Sequence, residues 1–184
     1  MTEPNPGGDE PSDLELITRW RSGDERAATQ LVARHAPALA RFASASGAGA
    51  DVEELVQDTF VRAFGSLETF RGDSSLRTWL FTIERRLLLD RWRAERRRGA
   101  EVELEENHLT TRQDPLEAVL AGESRERLRT AVGRLSPTQR EVFTLRVGEG
   151  LSYKEIAEAV GTTEGAARVH YHNAMRAIKE FLND

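Results

Sequence analysis

Arginine carries most of the chemistry in this sequence, and it is unevenly placed. Residues 71–98 hold nine arginines against four acids, within a chain whose net charge is −5. The flanks are acidic: twelve acids to six bases over residues 1–70, and five to one over residues 99–115. A guanidinium presents a rigid fork of donors that suits phosphate oxygens and base edges. The basic block opens on the stretch TFRGDSSLRTW, Thr69 to Trp79, a small polar turn between aromatics. Arginines that hold a backbone, aromatics that stack on bases, and small polar residues that line a pocket together suit single-stranded or melting DNA. Phe70, Leu80 and Ile83 also fall at core spacing and are read as core, whereas Trp79 fits either role. The plainer reading of the basic run is a solvated helix end.

A second set lies near the C-terminus. Glu164, Arg168, His172 and Arg176 recur every four residues, which places them on one face of a helix. Arg168 can donate to guanine edges and Asn173 can pair with adenine. Thr163, His170 and Arg176 are within reach of phosphates near a helix N-terminus. An ordinary helical hairpin with a polar face is the competing reading. His170 and His172 form H-x-H, but on a helix these side chains point about 200° apart and cannot chelate one ion. The chain has no cysteine. It also lacks a Walker loop, a clustered acid pair and a nucleophile constellation, so neither a metal nor a cofactor is expected and an enzyme is disfavoured.

The elements that must position these residues are helical throughout. Ser12 or Asp13 can cap a short helix, Asp24 the next, and Pro37 should bend or locally break that second helix. Asp51 is expected to cap a third. Its Val52, Leu55, Val56, Thr59, Phe60, Ala63, Phe64 and Leu67 follow core spacing, leaving Glu53, Glu54, Gln57, Asp58, Val61 and Arg62 outside. Residues 75–98 read as one helix of about 36 Å, closed by Gly99. Residues 99–115 lose periodicity and read as a linker ending at Asp114-Pro115.

The C-terminal part begins with an amphipathic helix. Ser136-Pro137 then starts another, and Gly148–Gly150 turn the chain. Ser152 with Glu155 forms a capping box, Gly161–Thr163 turn again, and Thr163 caps a last helix. A short helix, a glycine turn and a longer second helix is the helix-turn-helix pattern. The predicted fold is all-α: two small four-helix domains joined by a flexible linker. Residues 1–12 form a disordered tail, 13–98 the first domain, 99–115 the linker and 116–184 the second domain. No apolar run is long enough for a membrane span, and the N-terminus has no signal-peptide pattern. A cytoplasmic protein with no membrane partner is expected.

Taken together, these blocks resemble a bacterial RNA polymerase sigma factor of the extracytoplasmic-function type. DVEELVQDTFVRAF is similar to the region 2 helix that docks on the polymerase clamp. FRGDSSLRTWLFTIERRLLLD is similar to the loop and helix that read the −10 element. LSPTQREVFTLRVGEGLSYKEIAEAVGTTEGAARVHYHNAMRAI is similar to region 4, the −35 reader. The resemblance runs from Asp13 to Leu182 and implies a non-enzymatic, dissociable subunit that directs core polymerase to promoters. It implies partners: core RNA polymerase through the clamp of its largest subunit and the flap of its second, promoter DNA, and an anti-sigma factor. It implies that Arg71, Gly72, Asp73, Ser74 and Ser75 form a pocket for a flipped base. Arg77, Trp79, Arg85, Arg86, Asp90, Arg91 and Arg93 would hold the strand. Glu53, Glu54, Gln57, Asp58 and Arg62 would meet the polymerase.

The chain departs from the family in two places. Glu84-Arg85-Arg86 stands where an Ala-Arg-Asn stretch is common, while Asp90 keeps its place. In the recognition helix Val169, His170, Tyr171, His172 and Asn173 thin a usually denser basic run. The −10 and −35 sequences therefore do not transfer. The rival reading is a stand-alone helix-turn-helix regulator.

Overall fold

The computed structural model describes residues 10–97 and 122–183. Among these residues there are eight α-helices and no strand. The expected linker and most of the expected tail lie outside the described residues. The chain divides into two compact units, with the boundary between Ala36 and Pro37.

The first unit holds α1 (Asp13–Arg21) and the start of α2 (Glu25–Ala45). Ser12 caps α1: its Oγ accepts from Glu15 N–H at 3.3 Å, and Glu15 Oε2 accepts from Ser12 N–H at 2.7 Å. Asp13 is therefore not the cap. Its carboxylate instead takes Arg34 Nη1 at 2.7 Å and His35 Nε2 at 3.0 Å, tying α1 to α2. Burial works to raise the Asp13 carboxyl, but the hydrogen bonds from His35 and Arg34 outweigh it and hold the group below its ordinary value. Asp24 starts α2 as expected, its Oδ1 accepting from Arg26 N–H at 3.0 Å.

Helix α2 runs unbroken through Pro37. A proline forfeits one backbone bond, but here exposed Pro37 does not end the helix. Past Pro37 the helix buries Ala38, Leu39, Phe42 and Ala43.

The second unit continues with α3 (Val52–Gly65) and α4 (Leu76–Arg97), which pack on each other. Asp51 occupies the N-cap position of α3, but its side chain makes no capping bond, because a 3-10 turn over Gly49–Asp51 leads into the helix. Leu55, Thr59, Phe60, Ala63 and Leu67 are buried, and the six residues assigned to the outer face are exposed. Ala43, Leu55 and Leu88 form one core cluster with Val52, Leu87 and Trp92 against it. Phe42 meets Phe81 edge-on at 5.3 Å.

The C-terminal part of this unit holds α5 (Gly122–Gly133), α6 (Pro137–Phe143), α7 (Tyr153–Val160) and α8 (Glu164–Asn183). Ala131, Leu135, Phe143, Ala174 and Ile178 build its core, with Leu128, Val147, Tyr171 and Phe181 packed around them. The segment read as a single helix from Pro137 changes to a π turn over Thr144–Gly148. Capping boxes open α6 at Ser136–Gln139 and α7 at Ser152–Glu155. Gly161, at φ +71°, closes α7 in the left-handed region, where a side chain would be strained.

Glu84 breaks the pattern. It sits in α4 at 0% exposure, and neither carboxyl oxygen has a hydrogen-bond partner among the described residues. Burial pushes its carboxyl well above the ordinary 4.5. Native Glu84 thus keeps a proton that the unfolded chain releases above pH 4.5, so native stability falls as pH rises through that window. Glu84→Met keeps the volume and removes the orphaned oxygens, and should stabilise the fold by about 1–3 kcal/mol. Urea unfolding across pH should show that advantage growing as pH rises above 4.5, then levelling off.

Candidate nucleic-acid interface

The turn before α4 is built to present small polar groups. Gly72 has φ +78° and nothing within 4 Å of where a Cβ would stand. Arg71, Gly72, Asp73 and Ser75 are exposed and Ser74 is half-buried. Phe70 and Trp79 close the turn against each other, ring centroids 5.2 Å apart. That pairing leaves Trp79 half-buried, so it joins the two roles left open for it: part wall of the fold, part rim of the turn. Ser75 has a structural task as well, since its Oγ accepts from Thr78 N–H at 3.1 Å at the start of α4.

The arginines of α4 separate into two groups. Arg86, Arg93, Arg96 and Arg97 are exposed, Arg93 pairing with exposed Asp90 at 3.0 Å. Arg77, Arg85 and Arg91 are held by carboxylates. Arg91 Nη2 reaches Asp58 Oδ2 at 2.6 Å and Glu54 Oε1 at 3.3 Å, bridging α4 to the outer face of α3. Arg85 Nε donates to Glu141 Oε2 at 3.0 Å. Arg77 Nη2 pairs with Glu149 Oε2, and Arg41 Nε with Glu149 Oε1 at 2.8 Å. Glu141 and Glu149 are buried acids that the pattern of the sequence did not single out. One is masked inside an amphipathic helix and the other lies in a turn that only its glycines announced.

On α8 the expected row is in place: Glu164, Arg168, His172 and Arg176 are exposed, while Ala167, Ala174 and Ile178 on the other side are buried. Thr163 Oγ1 accepts from Ala166 N–H at 3.1 Å and so caps the helix. Val169 is 58% exposed, and His170 and Asn173 are half-buried. Among the described residues no cluster of three His, Asp or Glu is placed to hold a metal.

Tyr153 at the start of α7 was not picked out from the sequence. Its ring lies under both Arg146 and Arg168, at 4.8 and 5.2 Å from the guanidinium carbons, and Glu164 Oε1 meets Arg168 Nη2 at 3.0 Å. The i, i+4 pair was visible in the sequence, but the aromatic seat beneath Arg168 comes from a different helix.

The order of these three faces along the chain matches known modules. Residues 31–98 match the family model Sigma-70 region 2, and residues 125–178 match Sigma-70, region 4. The chain is 34% identical over 183 residues to RNA polymerase sigma factor CnrH of Cupriavidus metallidurans, covering 95% of this chain and 96% of that protein. The chain belongs to the sigma-70 family, as an ECF RNA polymerase sigma factor.

It is also 31% identical over 176 residues to the ECF RNA polymerase sigma-E factor of Escherichia coli, with 91% and 92% of the two chains covered. Among solved structures it is similar to CnrH in complex with the cytosolic domain of CnrY. The TM-score there is 0.66 at 32% identity, over 94% of this chain and 98% of that one. The sigma factor RpoE of Bartonella quintana in complex with the anti-sigma factor NepR gives 0.65 at 28% identity, over 84% and 96%. A sigma factor directs RNA polymerase to promoters and is not itself an enzyme. With region 2 and region 4 both present in one chain, the stand-alone regulator and the nucleic-acid enzyme fall away. No described helix of this sigma factor is long and apolar enough to cross a membrane.

Proposed function

We propose that this sigma factor divides its work among three helices. The α8 face reads the −35 element, the turn at 70–75 with α4 captures and holds the melted −10 strand, and the outer face of α3 docks on the polymerase clamp. The observation that carries this reading is the exposed row Glu164, Arg168, His172 and Arg176 on the second helix of a glycine-turned helix pair. A helix so capped and so faced is the reading element of a helix-turn-helix. Arg71, Gly72, Asp73, Ser74 and Ser75 form the base pocket. Arg77, Arg85, Arg86 and Arg93 supply the field, with Trp79 as the aromatic wall and Asp90 beside Arg93. Thr163, Val169, His170 and Asn173 complete the −35 contacts. Glu53, Glu54, Gln57, Asp58 and Arg62 face the polymerase.

Residues 13–98 and 116–184 act as the two reading domains, separated by 99–115, in a cytoplasmic protein. The similar sigma factors solved with CnrY and NepR support an anti-sigma protein as the regulatory partner of this chain as well. Promoter opening then draws on binding energy: the protein favours the unstacked strand over the duplex and consumes no fuel.

Run-off transcription with reconstituted core polymerase on a genomic promoter library tests the whole assignment, and the absence of defined start sites would refute it. Within it, Arg168→Ala should cost about 1–3 kcal/mol in binding at the −35 element, as for a lost bidentate base contact. Tyr153→Leu should cost about 0.5–1 kcal/mol at the same element, while Tyr153→Phe, which keeps the ring, stays near the parent. Competition footprinting distinguishes the three variants. On α3, Gln57→Arg leaves the Arg91 bridges intact and puts a cation in the middle of the acidic docking face. It should weaken core binding about tenfold in a co-purification titration.

A further inference from the structure

The outward face of α8 carries one large side chain with no polar chemistry. Val169 is 58% exposed, among exposed Glu164, Gly165, Arg168, His172 and Arg176. A single exposed apolar residue is ordinary on a protein surface. Val169 is set apart by where it stands. At a helical repeat of 3.6 residues it points about 140–200° away from buried Ala167, Ala174 and Ile178. It is the sixth residue of α8, in the part of a recognition helix that meets base edges in the major groove. Arg168 precedes it, and Arg176 follows two turns on along the same side of the helix.

Gly165 adds a second observation. Side chains on a helix lean toward its N-terminus, so Val169 covers the surface one turn back, at Gly165. Gly165 is exposed and has nothing within 4 Å of where a Cβ would stand. Internal packing therefore does not require a glycine there, and helix propensity disfavours it. Its bareness leaves the Val169 methyls open to an approaching surface. Valine is also stiff: one χ1 rotamer dominates in a helix, so the methyls are placed before any ligand arrives.

A side chain without donor or acceptor can read one feature of the major groove. Adenine, guanine and cytosine are told apart there by donors and acceptors, whereas thymine also presents an apolar C5-methyl. Against a polar base edge, valine would displace water and return no hydrogen bond. We infer that Val169 is a specificity residue, which seats the C5-methyl of one thymine in a notch formed with the bare backbone at Gly165. Arg168 and Arg176 flank the notch and hold the duplex against it. The −35 element of this sigma factor then contains a thymine, on one strand or the other, recognised by its methyl. The inference rests on the proposed role of α8 as the −35 reader.

The test uses holoenzyme reconstituted from core polymerase and the full chain, on a promoter recovered from run-off transcription. Each thymine of its −35 element, on both strands, is replaced in turn by deoxyuridine, which removes only the methyl. In competition binding one replacement should weaken the parent about fourfold, as for one methyl-sized group left unburied. Val169→Ala should bind the thymine and uracil probes at that position equally. Alanine favours helix and Val169 is exposed, so this variant should melt by circular dichroism no earlier than the parent. If no replacement weakens the parent, no thymine methyl is read and the inference fails. If Val169→Ala keeps the fourfold preference, another side chain reads the methyl and the inference fails as well. Footprinting with Arg176→Ala separates these failures from a wider one. Lost −35 protection in that variant leaves α8 as the reader, whereas full protection together with an unaltered thymine preference in Val169→Ala brings down both readings.

Discussion

A carboxylate taken out of water must find a cation, and much of this molecule is arranged around that demand. Glu149 is buried in a turn between the π segment and α7, and it is satisfied only because Arg41 from α2 and Arg77 from α4 converge on it. Such a site adds little net stability, since the desolvation of three charged groups offsets most of their attraction. What it supplies is specificity of arrangement. One carboxylate with two guanidinium partners has few alternative placements, and Glu141 with Arg85 repeats the constraint along the same helix. Burial alone would push the Glu141 carboxyl up, while the charge and hydrogen bond of Arg85 pull it back.

Charge is segregated on the other face of α4 too. Arg91 spans Glu54 and Asp58 on α3, both of which remain substantially exposed. Exposed pairs of this kind are weak and screened by salt. They leave the acidic face of α3 available to a stronger basic surface, at the cost of releasing one arginine. The same helix therefore presents arginines in three conditions: half-buried against buried acids, loosely bridged, and open to solvent. An acidic chain can bind a nucleic acid because the sign of the local field, and not the total, decides what approaches each face.

Much of this was legible in the sequence, and the parts that were not fall into a few kinds. The caps at Ser12, Ser136, Ser152 and Thr163 are local chemistry, set by residues within one turn, and each stands where its pattern placed it. The inner faces of α3 and α8 follow from periodicity alone. Three local expectations missed for local reasons: a 3-10 turn took over the entry to α3 from Asp51, α2 absorbed Pro37, and a π turn took over the end of the helix that starts at Pro137. The hidden features all depend on residues far apart in the chain. Nothing near Glu149 says that Arg41 and Arg77 will meet it, and nothing near Arg168 says that Tyr153 will lie under its guanidinium. Glu84 is the opposite case, being visible as a departure from the family's alanine. Its burial was not read from that departure: Glu84 is interior on α4, as are Leu80, Ile83 and Leu88.

Paired charges also explain why contacts of this kind are exchanged more readily than they are simply broken. Breaking Arg77 and Arg85 away from their acids without replacement would strand buried charge, which is far costlier than the pairs are worth. Exchange of one anionic partner for another avoids that cost, because the guanidinium then keeps a charge-assisted partner throughout. The net change is then a small difference between two similar interactions. An equilibrium so balanced is steered by whatever binds one form better, however modest the preference.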